Sequence, residues 1–177
     1  MTFDYENAVR ELHAKEEIRD LVLSYCEAIR NRDIELLITL YTPDAKFGSM
    51  GSGEDGLRSM AEATMEQLEF AVILVTNHRI TFLSKSEAKG EVWARCYAQN
   101  KREGYYEQLI RYTDLYELSK SQNLDKENWK FKHRRHDLWF GQSKESPLML
   151  PPADWPKNNI GLGRDPLSDE AIQNLRE

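Results

Sequence analysis

Residues 15–47 read as two amphipathic helices joined by a turn and running into a strand. Ile18, Leu21, Val22, Tyr25 and Ile29 recur at the i, i+3, i+4, i+7 intervals of a helix face packed on a core. Asp33 stands where a second helix, carrying Ile34, Leu37, Leu40 and Tyr41, needs an N-cap. Thr42-Pro43-Asp44 stops that helix, and residues 45–50 are expected as a short strand. Tyr25 is the one polar-tipped member of the first stripe. A buried tyrosine ring needs a partner for its hydroxyl, either a core neighbour or a ligand in a pocket.

A Gly- and Ser-rich loop follows at 48–56. A third helix, capped by Ser52 or Asp55, then buries Leu57, Met60, Ala61, Thr64 and Leu68. After residue 70 the period changes from helical to alternating. In 90–101, Val92, Ala94, Cys96 and Ala98 fall on one side and Trp93, Arg95 and Tyr97 on the other. Residues 105–118 and 129–140 are two more long strands, and the short turns between runs imply antiparallel neighbours. Helices first and a strand meander after them give an α+β fold with helices on one face of a curved sheet.

The 177 residues suffice for one domain with a real core. A net charge of −6 argues against nucleic acid as the partner. No run is long and apolar enough for a membrane span or a signal peptide. Two cysteines, Cys26 and Cys96, are too few for a disulfide framework, so a cytoplasmic protein is expected. The domain is placed at 8–140. Residues 141–177, with Pro147, Pro151, Pro152 and Pro156, are expected as an extended tail packed on the surface through Leu148, Leu150 and Trp155.

The run E-I-R-D-L-x-x-x-Y-x-x-A-I-x-x-x-D, then L-x-x-L-Y-x-x-D-A-x-F, resembles the opening of the SnoaL-like proteins of the nuclear-transport-factor-2-like superfamily. T-N-H-R-I-T-F at 76–82, R-Y-T-D at 111–114 and W-K-F-K-H-R at 129–134 follow in that family's order. The resemblance implies a cone: a strongly curved, mostly antiparallel sheet wrapped around three N-terminal helices and enclosing an apolar pocket. Relatives include scytalone dehydratase, hexachlorocyclohexane dehydrochlorinase, ketosteroid isomerase and polyketide cyclases. The non-catalytic small subunits of ring-hydroxylating dioxygenases share the fold, so fold does not imply function.

The family's dehydratase-type members use an Asp–His dyad. Carried onto this chain, the aspartate position is Arg30 and the histidine position is Ile73. Neither residue can act as a base at neutral pH. The isomerase-type site fares better. Tyr25 matches its tyrosine and Asp114 its protonated acid, the pair that holds an enolate oxygen. Ser49 stands at the base position, and Asp55 is the nearest carboxylate, either a base or a helix cap. Asp114 and Tyr25 are expected to share one pocket, working on a ligand or bonding each other. Arg30 faces either solvent at its helix end or an anion in that pocket. His78 is a candidate base only if a bulge turns it inward, because residues 73, 75 and 77 share the other face of a regular strand. His133 and His136 lie three apart, on opposite sides of a strand, and cannot chelate one ion; the basic run around them is expected on an outer surface.

Two functions follow. One is a cofactor-independent lyase or isomerase acting on an apolar cyclic molecule, with Tyr25, Asp114 and His78 catalytic. Arg30, Tyr41, Asp55, Ile73, Tyr97 and Tyr112 are its expected ligand contacts. The other is a non-catalytic binding or assembly protein, such as a dioxygenase small subunit. Neither needs a metal or a cofactor, and a homodimer through the sheet is expected for the aromatic, arginine-rich strands.

Overall fold

Asp4 sets where the chain becomes helical: its side chain accepts the Asn7 amide at 3.0 Å. The computed structural model describes residues 4–101, 104–120 and 127–144. Helix α1 spans Tyr5–Asn31 and buries Ala14, Ile18, Leu21, Val22 and Ala28. It ends at Arg32, a non-glycine residue at φ 60°. The Arg32 side chain offsets that strained position by donating to the Met65 carbonyl at 2.6 Å and to the Leu68 carbonyl. These are carbonyls at the end of the third helix, which lack partners within it. Helix α2, Ile34–Thr39, starts on Asp33, whose side chain accepts the Leu36 amide at 2.9 Å.

Residues 45–50 are not the expected strand. Gly48, Gly51 and Gly53 all take positive φ, so the segment coils into a 3₁₀ turn, Gly48–Met50, and leaves no extended run. The chain touches the sheet earlier instead. Tyr41 forms a parallel bridge with Phe131, closed by Thr42 N to Phe131 O at 2.9 Å and Phe131 N to Leu40 O at 2.8 Å. Helix α3, Gly53–Gln67, then buries Gly56, Leu57, Ala61 and Met65.

Four long strands follow: β1 Leu68–Phe82, β2 Glu87–Asn100, β3 Gly104–Lys120 and β4 Glu127–Lys144. They form one open antiparallel sheet in the order β1-β2-β3-β4. The fold is α+β, as the residue periodicities imply. Strand β2 presents Ala88, Val92, Ala94, Cys96 and Ala98 to the core, so the centre of its inner face is lined by small side chains. The larger core side chains Tyr116, Phe131, Ile18 and Leu37 fill around them. Burying each such side chain is worth about 1.5–3 kcal/mol. All described residues fall within the compact unit Met1–Ser146. Strand β4 continues to Lys144, and the proline-rich segment from 145 onward lies outside the described residues.

Candidate functional site

The inner sheet face presents its residues in rows across the strands. One row runs His78, Val92, Tyr112, His136. The next runs Ile80, Gly90, Asp114, Arg134, and the third Phe82, Ala88, Tyr116, Phe131. Two irregularities build these rows. The register of β1 shifts between Val75 and Asn77, which turns His78 to the side of Ile73 and Val75. The register of β4 shifts opposite Leu115 and Tyr116, which brings Arg134 to the side of Phe131.

Arg134 and Asp114 meet in the second row. Arg134 donates through Nε to Oδ1 at 2.8 Å and through Nη2 to Oδ2 at 2.7 Å, a bidentate pair. The two side chains are 3% and 0% exposed, so water screens nothing here. The Tyr116 hydroxyl donates to Asp114 Oδ2 at 2.7 Å. Its proton being so used, its oxygen accepts from His78 Nε2 at 3.1 Å, which fixes the histidine as the Nε2–H tautomer. Every donor in the chain points toward one carboxylate. Burial works against the Arg134 charge, but Asp114's charge and hydrogen bonds outweigh it and hold the guanidinium above its ordinary range. Burial lowers His78 to about 4, with Asp114 only partly opposing. Burial, then Asp114, pushes the Tyr116 phenol far up.

The guanidinium carbon of Arg134 also lies 4.3, 4.4 and 4.2 Å from the ring centres of Tyr25, Tyr112 and Phe131. Its Nη1 is buried with no hydrogen-bond partner. Ring faces stand in there for solvent, a contact worth up to about 2 kcal/mol when desolvated. Tyr25 and Tyr112 are thereby fixed edge to face, 5.9 Å apart.

Beside this cluster, between α1, α3 and the sheet, is a cavity of about 670 Å³. Ile29, Met60, Ala71, Ile73, Ala98 and Ile110 make its apolar wall. Tyr25, Tyr112, Cys96 and His136 also line it. Neither the Tyr25 nor the Tyr112 hydroxyl has a hydrogen-bond partner among the described residues. Burial raises both phenols, so each is a proton donor at neutral pH rather than an anion. Burial likewise raises the Cys96 thiol to about 11, which leaves it unreactive as a nucleophile.

The sequence-predicted residues divide accordingly. Tyr25, Tyr112 and Ile73 line the cavity. Asp114 does not: its Oδ1 accepts from Arg134 and its Oδ2 from Arg134 and Tyr116, and it makes no hydrogen bond with Tyr25 among the described residues. His78 turns inward as a bulge allows, but it donates to Tyr116 and is not part of the cavity wall. Arg30 is exposed and pairs with Glu27 at 3.8 Å. Asp55 is exposed in the first turn of α3, where a carboxylate favours the helix dipole. Tyr97 lies on the opposite side of β2 from Cys96, against the Arg95 guanidinium. Tyr41 packs on Phe131 and Phe47 and borders a separate crevice beside α2. Periodicity does not single out Arg134 or Tyr116. A lone aspartate in an aromatic strand demands a cation, and the following strand carries a basic run. Counting alternation from Phe131 puts Arg134 outside, and the register shift reverses that.

Residues 10–135 match the model of the SnoaL-like domain. No curated protein matches the chain. Among solved structures it is similar to a hexachlorocyclohexane dehydrochlorinase, LinA type 2, at 18% identity and a TM-score of 0.70, covering 83% of this chain and 99% of that one. LinA type 3 from Novosphingobium barchaimii matches at 18% identity and 0.70, covering 82% and 99%. A dehydratase-type protein of the NTF2-like family from Streptomyces avermitilis matches at 13% identity and 0.58, covering 72% and 98%.

Proposed function

The chain belongs to the SnoaL-like domain family, and from that membership and the cavity we propose that it binds a mostly apolar, cyclic small molecule bearing one oxygen function. The observation that carries this reading is the pair of phenols, Tyr25 and Tyr112, without hydrogen-bond partners among the described residues, beside the apolar wall of Ile29, Met60, Ala71, Ile73, Ala98 and Ile110. Such pockets bind by area and orient by a few polar groups. A carbonyl oxygen placed between two phenol donors is polarised. If charge develops on it, each preorganised donor contributes about 3–4 kcal/mol to the transition state. The reaction class this supports is cofactor-independent proton transfer beside a carbonyl, that of a lyase or isomerase. The similar structures named for dehydrochlorination and dehydration belong to the same broad class of chemistry.

A second reading, binding without turnover, is favoured by Arg30, which points into solvent, and by Ile73, which adds only apolar wall. Leu138, Trp139 and Phe140 on the edge strand β4 are all more than half exposed. They offer a surface for a second copy of the chain, which is the partner we propose, or for a larger subunit.

Calorimetric titration with 2-tetralone, a bicyclic ketone of suitable size, tests the pocket. Saturable binding is expected, weakened roughly tenfold in a Tyr25→Phe, Tyr112→Phe double variant, about 1.4 kcal/mol. Equal affinity of the two proteins would remove the phenols from the account.

A further inference from the structure

A cavity that enolises a ketone needs a proton acceptor as well as oxygen donors. We infer that His136 is that acceptor, a role that rests on the pocket reading above. Among the described residues lining the cavity there is no carboxylate and no lysine. The titratable groups are Tyr25 from α1, Cys96 from β2, Tyr106 and Tyr112 from β3, and His136 from β4. Burial raises the Tyr25 and Tyr112 phenols and the Cys96 thiol, so these three keep their protons at neutral pH. His136 alone has the right chemistry.

Its position suits the task. His136 is the direct cross-strand neighbour of Tyr112, so both side chains share a face, and their ring centres are 5.4 Å apart. It is exposed while lining the cavity, which puts it at the mouth, where a proton can leave to solvent. Burial of part of the ring lowers its affinity for protons; Asp137 opposes in part, and the Arg134 charge adds to the lowering. Asp137 is spent on Arg111 at 3.0 Å and Arg135 at 2.8 Å. The imidazole is therefore neutral and ready to accept at pH 7.

The neutral His136 nitrogen forms a bond to the α-hydrogen. The C–H electron pair becomes the new C=C bond, and the carbonyl π pair moves to oxygen, between Tyr25 and Tyr112. The imidazolium then returns a proton to carbon. In deuterated water it exchanges first with solvent, so the ketone gains deuterium at its α-position.

Proton NMR of 2-tetralone in deuterated water reads this directly, with calorimetry on the same samples. The wild type should accelerate α-deuteration over buffer. His136→Gln should lose roughly a hundredfold of that acceleration while binding the ketone as before, and His133→Gln, on the opposite face, should behave as wild type. The wild-type rate should also rise with pH and level off below neutrality, an inflection that does not depend on any variant. Binding without acceleration, or acceleration that survives in His136→Gln and His136→Asn, overturns the assignment and leaves the pocket standing. Failure of the ketone to bind overturns both.

Discussion

Arg134 holds Asp114 through two hydrogen bonds of 2.8 and 2.7 Å while its flat faces pack against Tyr25, Tyr112 and Phe131. One residue thus satisfies the buried Asp114 carboxylate and packs against the two phenols of the cavity. Asp114→Asn should cost about 3–5 kcal/mol, because it strands a buried guanidinium. A double replacement, Asp114→Leu with Arg134→Met, should cost clearly less than that. Urea unfolding of the three proteins checks the order, and a double variant that costs as much as Asp114→Asn would show that the stranded guanidinium is not the cause.

His78 makes stability pH-dependent. Its folded value, about 4, lies below the ordinary 6.5, so the unfolded chain binds more protons between those limits. The contribution is fully present above about 6.5 and is lost as pH falls toward 4. The ring is partly open to solvent, so the loss is roughly 1–2 kcal/mol after screening. Unfolding free energies measured at pH 7 and pH 4.5 should differ less in His78→Gln than in wild type. An unchanged difference would place the pH sensitivity elsewhere.

Gly90 is required by Tyr116. A Cβ at Gly90 would stand 2.5 Å from the Tyr116 hydroxyl and 2.6 Å from its ring. Tyr116 is fully buried and tied to Asp114, so it cannot swing aside. Gly90→Ala should therefore lose about 1–3 kcal/mol, as overpacked cores do. Thermal unfolding reads the loss, and a neutral substitution would mean that Tyr116 has a second position.

The exposed Leu138, Trp139 and Phe140 predict self-association through the edge of the sheet. Light scattering should give twice the 20.7-kDa chain mass. Phe140→Glu should shift the equilibrium toward single chains. A wild-type monomer at micromolar concentration would set the proposed dimer aside.

Alternation and helical spacing made the elements legible. The stripe of Ile18, Leu21, Val22 and Tyr25, the Asp33 cap and the small inner face of β2 all stand where periodicity puts them. Two things were not legible. Bulges add single residues that no hydrophobic pattern announces, and those at β1 and β4 decide the faces of His78 and Arg134. Nor does a motif state whether a buried acid faces a ligand or a cation. Asp114 matches an isomerase acid by position, but Arg134, twenty residues on, converts it into one half of a structural ion pair. Spacing alone sets His136 only beside His133, as a metal ligand. Its value lies in being opposite Tyr112, a fact of register rather than of spacing.

If Tyr25 and Tyr112 grip a ligand oxygen inside the cavity, they polarise the bound carbonyl. The carbon-13 shift of the carbonyl in labelled 2-tetralone, measured bound to the protein, reports that grip. A downfield displacement from the value in an apolar solvent is expected, smaller in Tyr25→Phe and in Tyr112→Phe, and near the solvent value in the double variant. A bound carbonyl whose shift is the same in wild type and in the double variant would contradict it.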